Sequence, residues 1–267
     1  MGGVNFGERT NRIVISLGGS LISPHTAIIN TKFIVEFKKV IARQVNLGKR
    51  FIIVCGGGNL ARAYQNAYKM IASKVNNDTA DLMGIKATKL NAQLVAGVFG
   101  DLADQRIIDN PNKKILTENP VIFAGGWKPK CSTDLDAILF AINVGARRVI
   151  NITNTDGIYN KDPNGKDGKS AKLIKHILWG DYKAMIPKKW IPGLSSPFDP
   201  IASRKAEKND IEVVIIGQDL TNLKLCLEGK RFKGTTISGP TDHNLYQYIQ
   251  NFKKRRLHRT EGTFLSE

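Results

Sequence analysis

Polar side chains able to hold a phosphate follow two predicted strands in the middle of the chain. The first strand ends in a Gly-Gly pair (125–126) and leads to Ser132, Thr133 and Asp134 at the start of a predicted helix. A helix start presents free backbone N–H groups, and two hydroxyls beside them suit a phosphate. The next strand, around 150–152, ends in a polar Asn-Thr-Asp-Gly turn, and open α/β sheets bind ligands at such strand ends. The sequence therefore predicts two facing sites and an enzyme that acts on phosphorylated small molecules.

Three glycine-rich turns follow three predicted strands, at residues 18–20, 56–58 and 125–126. Glycine lets the backbone approach a polyphosphate closely or adopt a positive φ. Tight strand-to-helix turns also use glycine, so one such turn indicates little, whereas three together favour a ligand. None fits the Walker pattern GxxxxGK[ST] or the dinucleotide pattern GxGxxG. The sequence thus predicts nucleotide binding of another kind.

Two further groups of polar residues admit two interpretations each. Arg62 lies one turn into the helix that follows residues 56–58, where a guanidinium can clamp a phosphate, but a solvated helix arginine explains it too. The loop after residues 150–152 carries a polar cluster, and on spacing alone its Asp-Gly and Lys-Asp-Pro steps favour plain turns. That cluster consists of Asp156, Tyr159, Lys161 and Asp162.

Composition and charge narrow the class of protein. The chain has 267 residues, 42% of them hydrophobic and 24% charged, which is ordinary for a globular protein with a sizeable core. No run of about 18 apolar residues and no signal segment is present, so we expect a cytoplasmic protein and no membrane partner. The cysteines at 55, 131 and 226 lack CxxC or metal-ligand spacing, so we expect reduced thiols and no protein-built metal site.

The net charge of +17 has three interpretations: nucleic-acid binding, attraction of anionic substrates, or a lysine-rich surface. A basic cluster lies at residues 253–259, but no nucleic-acid-reading module accompanies it. We therefore expect no nucleic-acid partner, and a nucleic-acid-binding regulator that uses this tail is kept as an alternative.

Strands that alternate with helices predict a mainly parallel sheet covered on both faces. The pattern places a strand at Arg12–Leu17, a helix at Thr31–Asn46, a helical stretch from Thr79 to Asp104, and a partly helical stretch from Leu173 to Trp190. We divide the chain into a polar leader (1–11), one catalytic domain (12–237) and a basic tail (238–267).

Seven segments between Ile13 and Ile237 resemble the amino acid kinase family and, within it, the archaeal branch of uridylate (UMP) kinases. They read ISLGGSL, VCGGGNLARAY, DLMGIKATKLNAQLV, GGWKPKCSTDLDAILFA, ITNTDGIYNKDP, GLSSPFDPIASRKAEKNDI and GTTI. The resemblance implies a three-layer αβα sandwich with a sheet of roughly eight strands. It also implies ATP over the C-terminal part, the phosphate acceptor over the N-terminal part, Mg²⁺ held mainly by the ATP phosphates, and a homohexamer.

The resemblance also implies a role for each matching residue. Asp81 would bind the UMP ribose hydroxyls, although a helix-start carboxylate favoured by the dipole is an equal alternative. Asp134 would orient catalytic groups, or else it is a simple first-turn acid. The implied catalytic residues are Ser20, Arg62 and Asp134; the ATP-binding residues are Gly19, Ser20, Gly58, Arg62, Thr153, Asn154, Tyr159 and Asp162; and the UMP-binding residues are Gly57, Asp81, Trp127, Lys128, Pro129, Lys130, Cys131, Ser132 and Thr133.

The chain departs from the family pattern at two places. Leu17 precedes the first glycine pair, where many members have lysine, so another cation must serve the γ-phosphate. Lys130 and Cys131 take places usually held by Gly and by His or Gln, and this leaves the acceptor open. The resemblance implies in-line transfer, ATP + UMP → ADP + UDP. The alternatives are a kinase of the same fold for isopentenyl phosphate, an amino acid carboxylate or carbamate, and a non-catalytic storage protein like the molybdenum storage proteins.

Overall fold

The structure is a computed structural model that describes residues 12–25, 28–163, 165, 168–186 and 196–240. Its described strands form one eight-stranded sheet in the order β3-β4-β2-β1-β5-β7-β8-β6. The strands are β1 (Arg12–Leu17), β2 (Arg50–Cys55), β3 (Ala103–Ile108), β4 (Val121–Ala124), β5 (Arg148–Ile152), β6 (His176–Leu178), β7 (Glu212–Ile216) and β8 (Thr235–Ser238). The α-helices are α1 (Gly19–Ile22), α2 (Thr31–Asn46), α3 (Gly58–Ile71), α4 (Asn77–Phe99), α5 (Thr133–Val144), α6 (Trp179–Met185), α7 (Pro200–Lys208) and α8 (Leu220–Leu227).

The expected three-layer, mainly parallel architecture is confirmed. Ile15 and Leu17 of β1 join a buried cluster on one face of the sheet with Phe37 of α2, while Val14 joins a cluster on the other face with Ile138 of α5. Successive strand residues point to opposite faces, so an unbroken apolar run buries both faces of one strand. No helix in the described ranges is long and apolar enough to cross a membrane.

The strands at the centre of the sheet end at one level. Leu17 of β1 pairs in parallel with Cys55 of β2 and with Ile152 of β5. Each of these residues is the last of its strand, so the loops that follow start side by side. Among the described strand pairs, only β7 with β8 is antiparallel.

Of two predicted helical stretches, one was too long, and the other, predicted as partly helical, is confirmed up to residue 186, where that described range ends. Helix α4 ends at Phe99, because Gly100 takes a positive φ of 59°, and a short 3₁₀ turn then leads into β3, so Asp104 lies in a strand. The stretch from Leu173 to Trp190 contains strand β6 ahead of helix α6. The leader (1–11) lies outside the described residues, as does the tail from 241 onwards, so the division into a leader, a domain and a tail stays a prediction.

The first two glycine turns touch through their backbones. A Cβ on Gly19 would lie 2.1 Å from the nitrogen of Gly58 and 2.4 Å from the carbonyl carbon of Gly56. Gly58 itself has a positive φ of 61°, and a Cβ there would lie 2.2 Å from the oxygen of Gly19. No side chain fits between these two turns, because the atoms it would meet are backbone atoms that cannot move aside.

We predict that Gly19→Ala destabilises the protein by about 1–3 kcal/mol, because the two turns must separate to admit one methyl group. Gly97→Ala is the matched control, since Gly97 lies in α4 with nothing within 4 Å of its Cβ position. The control should gain about 0.5–1 kcal/mol from better helix propensity. Urea unfolding measures both, and equal stabilities of the two variants would contradict the packing argument.

Candidate active site

Four loops meet at the carboxyl edge of the sheet, where open α/β sheets bind ligands. They follow the neighbouring strands β4, β2, β1 and β5 at Gly125, Gly56, Gly18 and Thr153. The nitrogen of Gly18 donates to the oxygen of Ile152 at 2.8 Å, and a Cβ on Gly18 would lie 3.6 Å from the Cα of Thr153. The structure therefore brings all three predicted glycine turns and the start of the predicted ATP loop to one edge.

Helix α4 fixes two of these loops relative to each other. The Thr88 hydroxyl accepts a hydrogen bond from the nitrogen of Gly126 at 2.7 Å. The Asn91 amide donates to the oxygens of Gly56 and Gly57 at 2.8 and 3.2 Å. Both side chains are buried, so water does not compete for these hydrogen bonds. Sequence reasoning gave neither residue a role, although their spacing of three places them on one face of the helix.

Arg62 lies at the glycine turn that begins α3. Its Nε donates to Asn59 Oδ1 at 3.0 Å, and the nitrogen of Asn59 donates to the oxygen of Ser23 at 3.0 Å. The guanidinium is thus held at the first turn of the helix, while its side chain stays exposed. This position suits a phosphate clamp, and Ser20 lies across the contact in α1.

Asp134 links three elements. Its Oδ1 accepts from the Ser16 hydroxyl at 3.0 Å, and its Oδ2 accepts from the nitrogen of Asp199 at 3.2 Å. Asp199 in turn caps α7, because its Oδ1 accepts from the nitrogens of Ile201 and Ala202, both at 2.7 Å. Asp134 is therefore more than a first-turn acid. The roles of Ser16 and Asp199 were missed, although Asp199 lies in a segment quoted for the resemblance.

Burial raises the pKa of Asp134 to about 7, and the nearby Asp199 carboxylate adds to the effect. Hydrogen bonds from Ser16 and from the Asp199 nitrogen oppose this shift without cancelling it. Burial also raises the pKa of Asp199, against the N–H groups of its helix. Both shifts favour the neutral form of these two buried carboxyls.

Ser132 has a structural task. Its hydroxyl oxygen accepts from the nitrogen of Leu135 at 3.2 Å, which makes Ser132 the N-cap of α5. This bond satisfies one free N–H of the helix, and the hydroxyl also hydrogen-bonds the Asp199 carboxyl, while the phosphate contact expected from the sequence stays a prediction. Thr133 follows as the first helical residue and stays half-buried.

Residues 127–131, here called the Trp127 loop, lie against the start of α4. Lys130 takes a positive φ of 64°, which is the left-handed conformation that favours glycine and explains why glycine is usual at this place. Its nitrogen donates to Asp81 Oδ2 at 2.9 Å, and its Nζ lies 3.1 Å from Asp78 Oδ1. Asp78 is the acid in the first turn of α4, so the dipole explanation offered for Asp81 fits Asp78 instead.

A second carboxylate holds the Trp127 loop from inside. Asp136 in the first turn of α5 is fully buried, with 0% exposure. Its Oδ2 accepts from the nitrogen of Trp127 at 3.1 Å, and its Oδ1 accepts from the thiol of Cys131, also at 3.1 Å. Burial raises the pKa of Asp136 to about 6. No sequence pattern assigned a role to this residue.

The predicted ATP-side residues divide into two groups. Thr153 and Asn154 lie at the carboxyl edge, where the nitrogen of Thr153 donates to the oxygen of Ile216 at 3.0 Å. Tyr159 pairs with Leu173 in an isolated bridge further along the loop, and the oxygen of Asp162 accepts from the nitrogen of Gly165 at 3.2 Å. The contacts described above link only the first group to the glycine turns.

Comparison with known proteins gives a consistent family. Residues 11–217 match the model of the amino acid kinase family. The uridylate kinase of Methanocorpusculum labreanum is 30% identical over 232 residues, which cover 85% of this chain and 95% of that protein. The uridylate kinase of Thermoplasma volcanium is 31% identical over 229 residues, covering 84% and 96%.

Solved structures agree with this similarity. The uridylate kinase of Archaeoglobus fulgidus superposes with a TM-score of 0.71 at 27% identity, covering 85% of this chain and 99% of that one. An aspartate kinase from Synechocystis shares the fold, with a TM-score of 0.62 at 16% identity, over 85% of this chain and 40% of that one. The glycine loops along one edge of the sheet, the strand order and these matches agree, and the chain belongs to the amino acid kinase family.

Proposed function

We propose that this protein is a UMP kinase that transfers the γ-phosphoryl group of ATP directly to UMP, giving ADP and UDP for pyrimidine nucleotide synthesis. The observation that carries the proposal is the backbone contact between the turns at 18–20 and 56–58, with the Trp127 loop and Asp81 on one side and Thr153 on the other. Similarity to uridylate kinases over most of the chain supports the choice of acceptor.

The donor and the acceptor lie on opposite sides of this contact. In-line transfer needs two phosphates held close together, so positioning and charge neutralisation supply most of the catalysis. The acceptor oxygen of UMP is already largely ionised near neutral pH, so no general base is required. We assign ATP to Gly19, Ser20, Gly58, Arg62, Thr153, Asn154, Tyr159 and Asp162, and UMP to Gly57, Asp81 and residues 127–133.

Mg²⁺ fits this arrangement as an ion carried on the ATP phosphates, where it would neutralise their negative charge. Within the described residues, no group of three or more His, Cys, Asp or Glu side chains could hold a metal ion together. We assign the ion to the ATP phosphates and water, and Asp134 to orienting the groups around the phosphates.

Self-association forms part of the proposal. Helix α3 and the segment after it expose Met70 by 85%, Ile71 by 83% and Val75 by 45%. Exposed apolar side chains grouped in this way are typical of protein–protein contacts. This patch supports a homo-oligomer, and the hexamer implied by the resemblance stays a prediction that mass photometry can test.

The decisive experiment measures ADP release from ATP and Mg²⁺ with UMP, CMP, dUMP, GMP, isopentenyl phosphate, aspartate or carbamate as the acceptor. We expect turnover with UMP at least about tenfold faster than with any other acceptor, because Asp81 can recognise ribose hydroxyls beside the Trp127 loop. Turnover with another acceptor alone would keep the kinase and reject the acceptor. No turnover with any of them would favour a non-catalytic binding protein.

We predict that Asp81→Ala raises the KM for UMP about tenfold or more, because it removes a charged hydrogen-bond acceptor from the acceptor side. The KM for ATP should change by less than about threefold. Steady-state kinetics with each substrate varied in turn measures both values. Asp101→Ala is the control, in the 3₁₀ turn that follows the opposite end of α4, and an equal rise in both KM values for Asp81→Ala would refute the assignment.

We predict that Asp134→Asn lowers kcat about 10²-fold or more, since the variant loses one of the two carboxylate oxygens that hold Ser16 and the start of α7 in place. The same change should stabilise the fold at high pH. The pKa of Asp134 in the folded protein is raised to about 7, so its ionisation costs stability as the pH rises from about 4 through 7, and no cost remains below that range.

The difference in melting temperature, variant minus wild type, should therefore increase between about pH 5 and pH 8. Differential scanning calorimetry across this range measures the difference. Asp101→Asn, an exposed carboxylate changed in the same way, should show no such trend. A flat difference for Asp134→Asn would mean that the carboxyl titrates normally.

A further inference from the structure

We propose that Asp136 is a positioning residue for the acceptor: it closes the Trp127 loop into a ring by binding the backbone of Trp127 and the thiol of Cys131. This inference deepens the proposed function and rests on it. It links two side chains that sequence reasoning did not connect, since Asp136 had no role there and Cys131 was named only as a UMP-binding residue that departs from the family pattern.

The ring has a closed set of hydrogen bonds. Asp136 Oδ2 accepts from the nitrogen of Trp127 and Oδ1 accepts from Cys131 Sγ, both at 3.1 Å. The nitrogen of Cys131 donates back to the oxygen of Lys128 at 3.2 Å. On the outside, the nitrogen of Lys130 donates to Asp81. Four donors of this loop are thus used before any substrate arrives.

The burial of Asp136 argues for a positioning task. A fully buried carboxylate costs stability unless hydrogen bonds or cations compensate for its lost hydration. The compensation here comes from the two ends of the Trp127 loop and from the nearby Lys128 ammonium, and all of these groups belong to the loop. A leucine or alanine at this buried position would avoid the free-energy cost of burying a carboxylate. The contribution of the carboxylate is therefore to fix the shape of the loop.

Cys131 is the matching half of this arrangement. Burial and the Asp136 carboxylate raise the pKa of its thiol, which therefore stays protonated and donates its hydrogen to Asp136. Cys131 precedes Ser132, the N-cap of α5. The bond to Asp136 consequently ties the loop to the start of the helix that also carries Asp134.

The two carboxylates that hold the Trp127 loop fix the shape of the acceptor site. Asp81 and Asp136 hold the Trp127 loop from two different helices, α4 and α5, so the space between the loop and the glycine turns has a fixed width before UMP binds. The substrate does not have to order a preformed loop. The protein therefore binds the acceptor more tightly, by the free energy that ordering the loop would have cost. Releasing one end should weaken acceptor binding and leave ATP binding unchanged.

Asp136→Asn tests this inference with little change in volume. Trp127 N and Cys131 Sγ bond to different oxygens of Asp136, and in asparagine one of these oxygens becomes an NH2 group, so one of the two donors loses its acceptor. We expect the KM for UMP to rise about tenfold or more, with the KM for ATP and the kcat each within about threefold. The melting temperature should stay the same or rise, because the variant removes a buried charge.

Cys131 provides a second variant and a second readout. Cys131→Ala should raise the KM for UMP, and Cys131→Ser, which restores a donor, should recover most of that loss. The alkylation rate of Cys131 by iodoacetamide, followed by mass spectrometry, should rise severalfold in Asp136→Asn, since the thiol loses the hydrogen bond that holds this end of the loop against α5. This rate can be measured whether or not the protein phosphorylates UMP.

The outcomes separate cleanly. Failure of the wild type to phosphorylate UMP rejects the proposed function, while faster alkylation still supports the ring. An unchanged UMP KM together with an unchanged alkylation rate in Asp136→Asn overturns the positioning role. A lower melting temperature with equal losses for both substrates also overturns it, because that pattern indicates a purely structural residue. Asp101→Asn is the control that should match the wild type in every measurement.

Discussion

The site depends on one contact, in which the glycine turn after β1 lies directly against the glycine turn after β2. Backbone atoms meet backbone atoms there, with no space for a methyl group on either side. The nitrogen of Gly56 donates to the oxygen of Leu17 at 2.9 Å, which extends the pairing of the two strands beyond their last residues. Backbone N–H groups from the two loops can therefore face the same small space between them. The side chains around this space adjust a site whose geometry the backbone contact sets.

Around this contact the protein places carboxylates where a phosphate-binding protein would be expected to place cations. Asp134, Asp136 and Asp199 are bonded mainly to backbone nitrogens, hydroxyls and a thiol, and burial raises the pKa of each. The carboxylates shape loops and cap a helix, while in the proposed function the helix starts and Arg62 supply the positive potential for phosphates. Their cost in folding free energy is offset by the two apolar layers that bury the central strands.

Sequence reasoning worked where a pattern is local. The bounds of β1 and α2 were predicted to the residue, because an apolar strand followed by glycine and a helix with regular apolar spacing are both local signals. It failed at β3, where polar Asp104 and Arg106 interrupt the apolar pattern of an edge strand, and at the three-residue strand β6.

The side-chain partners of the site were largely invisible to the sequence. Asn91 bonds Gly56, 35 residues away, and Ser16 bonds Asp134, 118 residues away, so no spacing rule links them. Asp136 resembled an ordinary first-turn acid, because only the path of the Trp127 loop gives its carboxylate two donors. The glycine turns and Thr153 lie at strand ends that topology alone brings together, and the roles that the resemblance implies for them stay predictions.

The outermost strands of the described sheet have a consequence for how copies of this protein meet. β6 spans three residues, and β3 loses its regular pairing with β4 between Asp104 and Ile108, with a charged Asp104–Arg106 pair on that edge. A short or irregular, charged margin offers a poor template for adding another strand. Growth of the sheet from molecule to molecule, the route to insoluble fibres, is thereby discouraged at both borders, and contacts between copies are left to the helical surfaces.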